Sequence, residues 1–292
     1  MVPDNRAEGT TATRRAQLVM LKMLKAVDVM CRKNSISYWL SEGTLIGAAR
    51  EKGFIPWDDD LDICMMREDF ERFKELAPDM LPESMFFQTR ETDPGFRDGY
   101  IKIRDNYSTF LFEGEGRQQY HQGIFLDIFP MDYYPDHPAV FRGAAKIKFI
   151  TKLISGCYAD LHLKEFKRLR FYLILLLRPL RLFPLRTVRK WIKRRYLKNS
   201  ARLVSKAERF VINYGPELDW YVFLQHDEVF PLSSLVFEDA SFPVPADWDA
   251  VLRRQYGDYM KPPKYPMVHG DEIKPFTPCG HPASMPWPED AR

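Results

Sequence analysis

A chain of 292 residues with 45% hydrophobic and 28% charged content can bury a full core, as one large domain or two small ones, and has the polarity of an ordinary globular protein. Its four cysteines lie far apart with no CxxC or Cys/His spacing, which argues against zinc and for a reducing, cytosolic setting. The net charge is only +3, but its distribution is lopsided.

Residues 1–12 are polar, lack a signal-peptide pattern and read as a disordered lead-in. From Arg14 to Lys33 the apolar residues Leu18, Leu21, Leu24, Val27 and Met30 recur every three to four positions, which predicts an amphipathic helix. A strand at 37–41, a short helix at 44–50, a loop at 51–57 and a strand at 60–66 are expected next. This stretch concentrates the chemistry. Asp58, Asp59, Asp60 and Asp62 sit between Pro56-Trp57 and the apolar run Leu61 to Met66. Alternate strand residues share a face, so Asp60 and Asp62 are expected to point the same way. Two such carboxylates repel and need a cation between them. Hard oxygen ligands suit Mg²⁺, or Mn²⁺ in its place, with waters and phosphate oxygens completing the shell. Upstream, Gly43 allows close approach of a phosphate to the backbone, and the Thr44 hydroxyl can bond it. The arrangement predicts a phosphoryl-transfer site. A solvated acidic loop is the plainer alternative, and the apolar flanks of Asp62 weigh against it.

A helix is expected over 67–80, closed by Pro82, then short strands at 85–90, 99–104, 108–113 and 123–129. Strands first, then interleaved and trailing helices, indicate an α+β or mixed-sheet architecture. Lys102 and Arg104 alternate with Ile101 and Ile103, so both cations project from one face, as a solvent face or a diphosphate clamp. Asp127 is flanked by Phe125, Leu126, Ile128 and Phe129, where an isolated carboxylate loses several kcal/mol of hydration. A metal is one partner for it, and a salt bridge to Lys102 or Arg104 is the other.

Residues 142–202 carry 18 Lys and Arg against only Asp160 and Glu165, a local charge of +16. Between the cations lie Phe171 to Leu177, Leu180, Leu182, Phe183, Leu185 and Trp191, with no apolar run long enough to span a bilayer. The combination suits an interfacial segment on an anionic cytoplasmic leaflet. A helical pair packed on the sheet with a solvated basic side is a second reading, and a nucleic-acid patch a third. Beyond it a helix is expected over 201–214, short strands over 222–237, a helix from Pro245, and a proline-rich tail over 261–292 that wraps the body or frays.

At these residues the sequence resembles the LicD family, bacterial phosphocholine transferases related to the fukutin-type ribitol-phosphate transferases. The resemblance runs through Gly43-Thr44-Leu45-Ile46-Gly47, Arg50, and Gly53-Phe54-Ile55-Pro56-Trp57-Asp58-Asp59-Asp60-Leu61-Asp62. It continues through Lys102-Ile103-Arg104-Asp105 and Phe125 to Pro130 and, more loosely, Tyr256 to Met260, while Glu51 departs from the basic residue usual there. The resemblance implies a nucleotidyltransferase-like α+β fold, a mixed β-sheet flanked by helices. From the chain's own organisation a catalytic core is expected over 13–141, a basic helical insertion over 142–202, which matches nothing in the family, and a continuation of the core over 203–260. The resemblance implies Mg²⁺-dependent transfer of a phospho-alcohol from a CDP-linked donor to a glycan or lipid-linked saccharide. Asp60, Asp62 and Asp127 are then the catalytic carboxylates, and with Asp58 the metal ligands. Gly43, Thr44, Arg50, Lys102, Arg104 and His269 are the donor-binding candidates, His269 because a family-like His follows the Pro-Pro segment. The expected setting is cytoplasmic, peripheral on an anionic membrane, with no nucleic-acid partner. A nucleotidyltransferase acting on RNA, protein or a sugar phosphate is the enzymatic alternative, and a membrane-docked scaffold without turnover the other.

Overall fold

The computed structural model describes residues 2–114, 116–158, 185–205, 207–216, 218, 220–265 and 267–288. Residues Met1–Asp132 and Leu224–Arg292 form one unit, and Tyr133–Phe223 form a second.

The first unit is built on a mixed sheet in the order β1-β2-β6-β4-β3, where β1 is Trp39–Leu40, β2 Asp62–Met66, β3 Met85–Gln88, β4 Ile101–Asp105 and β6 Phe125–Pro135. Strands β2 and β6 run parallel, and the other pairs are antiparallel. The central strands are buried along nearly their whole length, as strands covered on both faces must be. Helix α1 (Ala12–Lys33) begins where the Thr11 side chain accepts the Arg14 amide at 3.0 Å. It buries Val19, Met20, Met23, Leu24 and Val27 at helical spacing. Helix α2 (Glu42–Arg50) links β1 to β2, and α3 (Arg67–Met80) buries Phe70, Phe73 and Ala77. Gly47 of α2 meets the carbonyl oxygen of Gly53 where a Cβ would stand 2.4 Å away, so any side chain there pushes the acidic loop off the helix.

Besides the two-residue strand β8 (Leu224–Gln225), two small antiparallel ladders complete the unit. Strand β5 (Thr109–Phe112) pairs with β11 (Gly270–Lys274), and β9 (Ser233–Phe237) with β10 (Ala240–Val244). The tail therefore wraps the body, with Trp287 buried. The lead-in is also ordered, against expectation. Arg6 is 0% exposed and bonds both oxygens of Asp105 and the Pro275 carbonyl, with its guanidinium 4.3 Å from the Trp287 ring centroid. A buried cation needs paired acceptors, and these lie far along the chain, so local composition gave no hint of them.

The second unit holds α4 (Pro138–Tyr158), α5 (Leu185–Val204) and β7 (Phe210–Tyr214) around Tyr134, Val140, Ala144, Ile147, Tyr196 and Val211. The helices cross closely at Gly143, where a Cβ would stand 2.9 Å from the Tyr196 ring. The helix expected over 201–214 ends at Val204, and β-branched Val211 and Ile212 enter a buried strand instead. The run Phe171 to Phe183, expected to enter lipid, lies outside the described residues.

Candidate active site

Parallel pairing of β2 with β6 sets Asp62 beside Asp127, and antiparallel pairing of β6 with β4 sets Asp127 beside Lys102. Three neighbouring strands thus carry a row of carboxylate, carboxylate and ammonium. The Lys102 ammonium donates to both Asp127 oxygens, at 2.5 and 2.7 Å. It also lies 3.7 Å from the Phe125 ring centroid, whose face adds a second compensation for the buried charge. Of the two partners expected for Asp127, the structure supplies the salt bridge, and it is Lys102 that makes it.

Helix α2 places the other side of the site. The Thr44 hydroxyl oxygen accepts the Asp62 amide at 2.9 Å, which seats the first residue of β2 against the helix. Gly43 and Thr44 sit inside the first turn of α2, which starts two residues before the expected boundary. At Gly43 a Cβ would come within 2.9 Å of Asp58 Oδ2, so the glycine leaves room for that carboxylate. Arg50 donates to Glu51 and to the Tyr259 carbonyl, each at 2.7 Å, while its buried Nη2 has no partner among the described residues. Its charge acts on Asp58, pulling that carboxyl downward against stronger opposing effects.

Those effects are large. Burial first, and then Asp60, push the Asp58 carboxyl up to about 8. Asp60 is raised by burial despite His269, and Asp62 is raised well above the carboxylate range by burial, then by Asp60 and Asp127. Asp127 is pushed up to about 6 by burial, with Lys102 opposing. The cause is common: four carboxylates withdrawn from water within reach of one another, faced by too few cations. That is a site poised for positive charge.

Asp59 plays a different part from its neighbours. It is fully buried, and its carboxylate accepts the amides of His269, at 3.0 Å to each oxygen, and of Gly270 at 2.7 Å. This latch brings the tail to the acidic loop and sets His269 Nε2 3.3 Å from Asp60 Oδ2. Asp59→Ala strips the acceptor from both amides and should cost about 3 kcal/mol. Hydrogen exchange should then speed at Gly270 and along β11 while α1 stays protected. Unchanged exchange there would refute the latch.

Arg104 does not belong with Lys102. Its guanidinium turns into the core, donating to Gln88 Oε1 and the Gly123 carbonyl at 2.8 Å each, and it is 1% exposed. Both cations share a face of β4, as alternation predicts, but Arg104 braces the sheet instead of reaching an open site. Glu42, which the sequence did not single out, and Tyr256, which opens the loosely matching run to Met260, join the cluster. Glu42 adopts a left-handed backbone (φ +47°), and its carboxylate accepts the Tyr256 hydroxyl. Both act electrostatically on Asp62. The positive φ at a non-glycine residue is the structural sign of a constrained position.

Fold and site together define a nucleotidyltransferase-like protein, with carboxylates gathered on adjacent strands and a short helix closing over them. Residues 35–148 match the family described as LicD/FKTN/FKRP, nucleotidyltransferase domain. A lipopolysaccharide cholinephosphotransferase, LicD, of Haemophilus influenzae is 35% identical over 145 residues, covering 49% of this chain and 54% of that protein. An uncharacterized protein of Rickettsia typhi is 41% identical over 122 residues (40% of this chain, 35% of that one). The chain spans about half or less of the length of these curated relatives.

Proposed function

We propose that the protein is a phosphotransferase that moves a phosphocholine-like phospho-alcohol from a CDP-activated donor to a hydroxyl of a cell-surface glycan or lipid-linked saccharide. The row Asp62, Asp127 and Lys102, with Asp58 and Asp60 beside it, is the observation that carries this reading. The printed name of the Haemophilus influenzae relative, a lipopolysaccharide cholinephosphotransferase, supports the substrate class.

The donor set fits Mg²⁺ in one particular way. Among the described residues no group of three or more acidic, imidazole or thiol side chains is placed to hold a metal ion, so any metal here would rest on one or two carboxylates. Mg²⁺ is commonly held by one or two carboxylates, with waters and substrate phosphates filling its octahedron. Asp60 and Asp62 would hold it, with Asp58 alongside, and when bound it would offset charge on the donor diphosphate and on the leaving CMP. Arg50 Nη2 is free to donate to a phosphate oxygen, and the Thr44 hydroxyl proton can do the same while its oxygen keeps the Asp62 amide. Asp127, poised near pH 6 and steadied by Lys102, is the group we assign to take the acceptor hydroxyl proton. His269 borders Asp60 from the tail side.

Incubation with labelled CDP-choline, Mg²⁺ and a lipopolysaccharide or lipid-linked acceptor should yield labelled glycan and CMP. The second reading transfers a nucleoside monophosphate, and the nucleotidyltransferase description of the matching family favours it over others. Label from CTP appearing in the product, with none from CDP-choline, would replace the first reading by the second. Failure to bind any Mg²⁺-nucleotide in calorimetry would leave a scaffold without turnover.

The same carboxylates make a prediction for the metal-free protein. A carboxyl whose pKa is raised on folding contributes stability below its unfolded value, and this is lost as pH rises through the folded value. For Asp58 that window runs from 3.8 to about 8. The melting temperature in EDTA should therefore fall between about pH 4 and pH 8, and millimolar Mg²⁺ should reverse the fall at the alkaline end. A melting temperature that climbs over that range in EDTA would contradict the electrostatics drawn here.

A further inference from the structure

Helix α5 (Leu185–Val204) carries eight Lys and Arg and no acidic residue. Its two sides are sharply divided. Tyr196, Leu197, Ser200 and Leu203 turn inward, where Tyr196, Leu197 and Leu203 join the core of the second unit. Lys190, Trp191, Arg194, Arg195, Lys198 and Arg202 recur at three- to four-residue spacing and are all exposed. Trp191 is 63% exposed in the middle of that stripe. Helix α4, which packs against α5, adds exposed Arg142, Lys146 and Lys148.

A solvated helix face needs no tryptophan, and a protein-docking face of this kind would be expected to intersperse both charge signs. An indole set among cations is the arrangement that settles at the headgroup level of an anionic leaflet, the ring at the boundary and the ammonium and guanidinium groups on the phosphates. Among the described residues no helix is long and apolar enough to cross a membrane. We propose that the exposed face of α5 is a docking surface for anionic phospholipid, with Trp191 inserting at the interface and Lys190, Arg194, Arg195, Lys198 and Arg202 pairing with headgroup phosphates. This surface is independent of the transfer reaction proposed above, and it would stand if that reaction proved wrong. A nucleic acid would also answer the charge, but would not draw the indole into an apolar boundary.

The full-length protein should sediment with phosphatidylglycerol-containing vesicles at low salt, less so as salt rises, and far less with pure phosphatidylcholine. Tryptophan emission should shift to the blue on binding, and Trp191→Phe should remove most of that shift although five other tryptophans remain. Each cation near a charged leaflet changes partition about fivefold, so Lys190→Gln, Arg194→Gln and Lys198→Gln together should weaken it roughly a hundredfold. These side chains are exposed, so the triple variant should keep the wild-type circular dichroism spectrum. Wild-type protein that ignores anionic vesicles at low salt overturns the proposal, whatever the variants do. So does vesicle binding that Trp191→Phe and the triple variant leave unchanged. Duplex RNA that binds more tightly than the vesicles, with no change in Trp191 emission, assigns the face to nucleic acid instead.

Discussion

Asp62→Asn should abolish transfer while leaving the fold intact. The residue is buried beside Asp127 and feels the charges of both Asp60 and Asp127, so a full negative charge on it is tolerable only opposite a cation. The substitution replaces one of the two carboxylates proposed to hold the metal by a neutral amide, a much weaker ligand. Loss of several kcal/mol of charge stabilisation at the reacting phosphoryl group corresponds to a fall in kcat of about 10³-fold or more. The metal-free variant should melt at or above the wild-type temperature, because one repulsive charge has gone. Activity and unfolding must be measured on the same preparation, since this opposite movement separates a ligand from a structural carboxylate. Turnover near the wild-type rate at saturating Mg²⁺ would remove Asp62 from the site. A large drop in melting temperature would make it a structural residue.

Lys102→Met should do the reverse and unfold the protein before any question of catalysis arises. Its ammonium is the partner of Asp127 at 2.5 and 2.7 Å, and both side chains are almost fully buried. Removing the cation leaves a carboxylate between two hydrophobic strands, at a cost of about 3–5 kcal/mol. Replacing both residues, Lys102→Met with Asp127→Leu, removes the stranded charge and should recover most of that loss in denaturant titrations. Neither variant should transfer. If Lys102→Met costs less than about 1 kcal/mol, the pair does not hold the strands, and Lys102 is free to serve the donor phosphates alone.

Much of the site was legible because its residues break a local rule. An Asp inside an apolar strand run has no ordinary reason to be there, and Asp62 and Asp127 both proved to sit side by side on parallel strands. Lys102 and Arg104 show where such reading stops. Alternation assigns both to one face, but strand order and the loop before β6 decide that one meets Asp127 and the other Gln88 and Gly123. Asp59 and Arg6 were illegible for a further reason. Their partners lie 210 and 99 residues away in the chain, and nothing in their own neighbourhoods marks them off from solvated charges. The strand at Phe210–Tyr214 was lost to a helical pattern that does end at Val204, where the shift to β-branched residues was the available signal.

Strand β5 has consequences for how the molecule is made. Its partner β11 ends the acidic latch and begins at residue 270, so the edge at Thr109–Phe112 leaves the ribosome long before its cover exists. At ~5–20 residues per second the interval is on the order of ten seconds or more. Throughout it the nascent polypeptide displays unsatisfied amides and carbonyls beside Phe110 and Phe112, a ready template for neighbouring chains. The intervening second unit is synthesised in that interval, and the Arg6 clamp onto the Pro275 carbonyl cannot close until it is complete. Expression yield should therefore depend on translation rate and chaperone supply more than on the equilibrium stability of the finished protein.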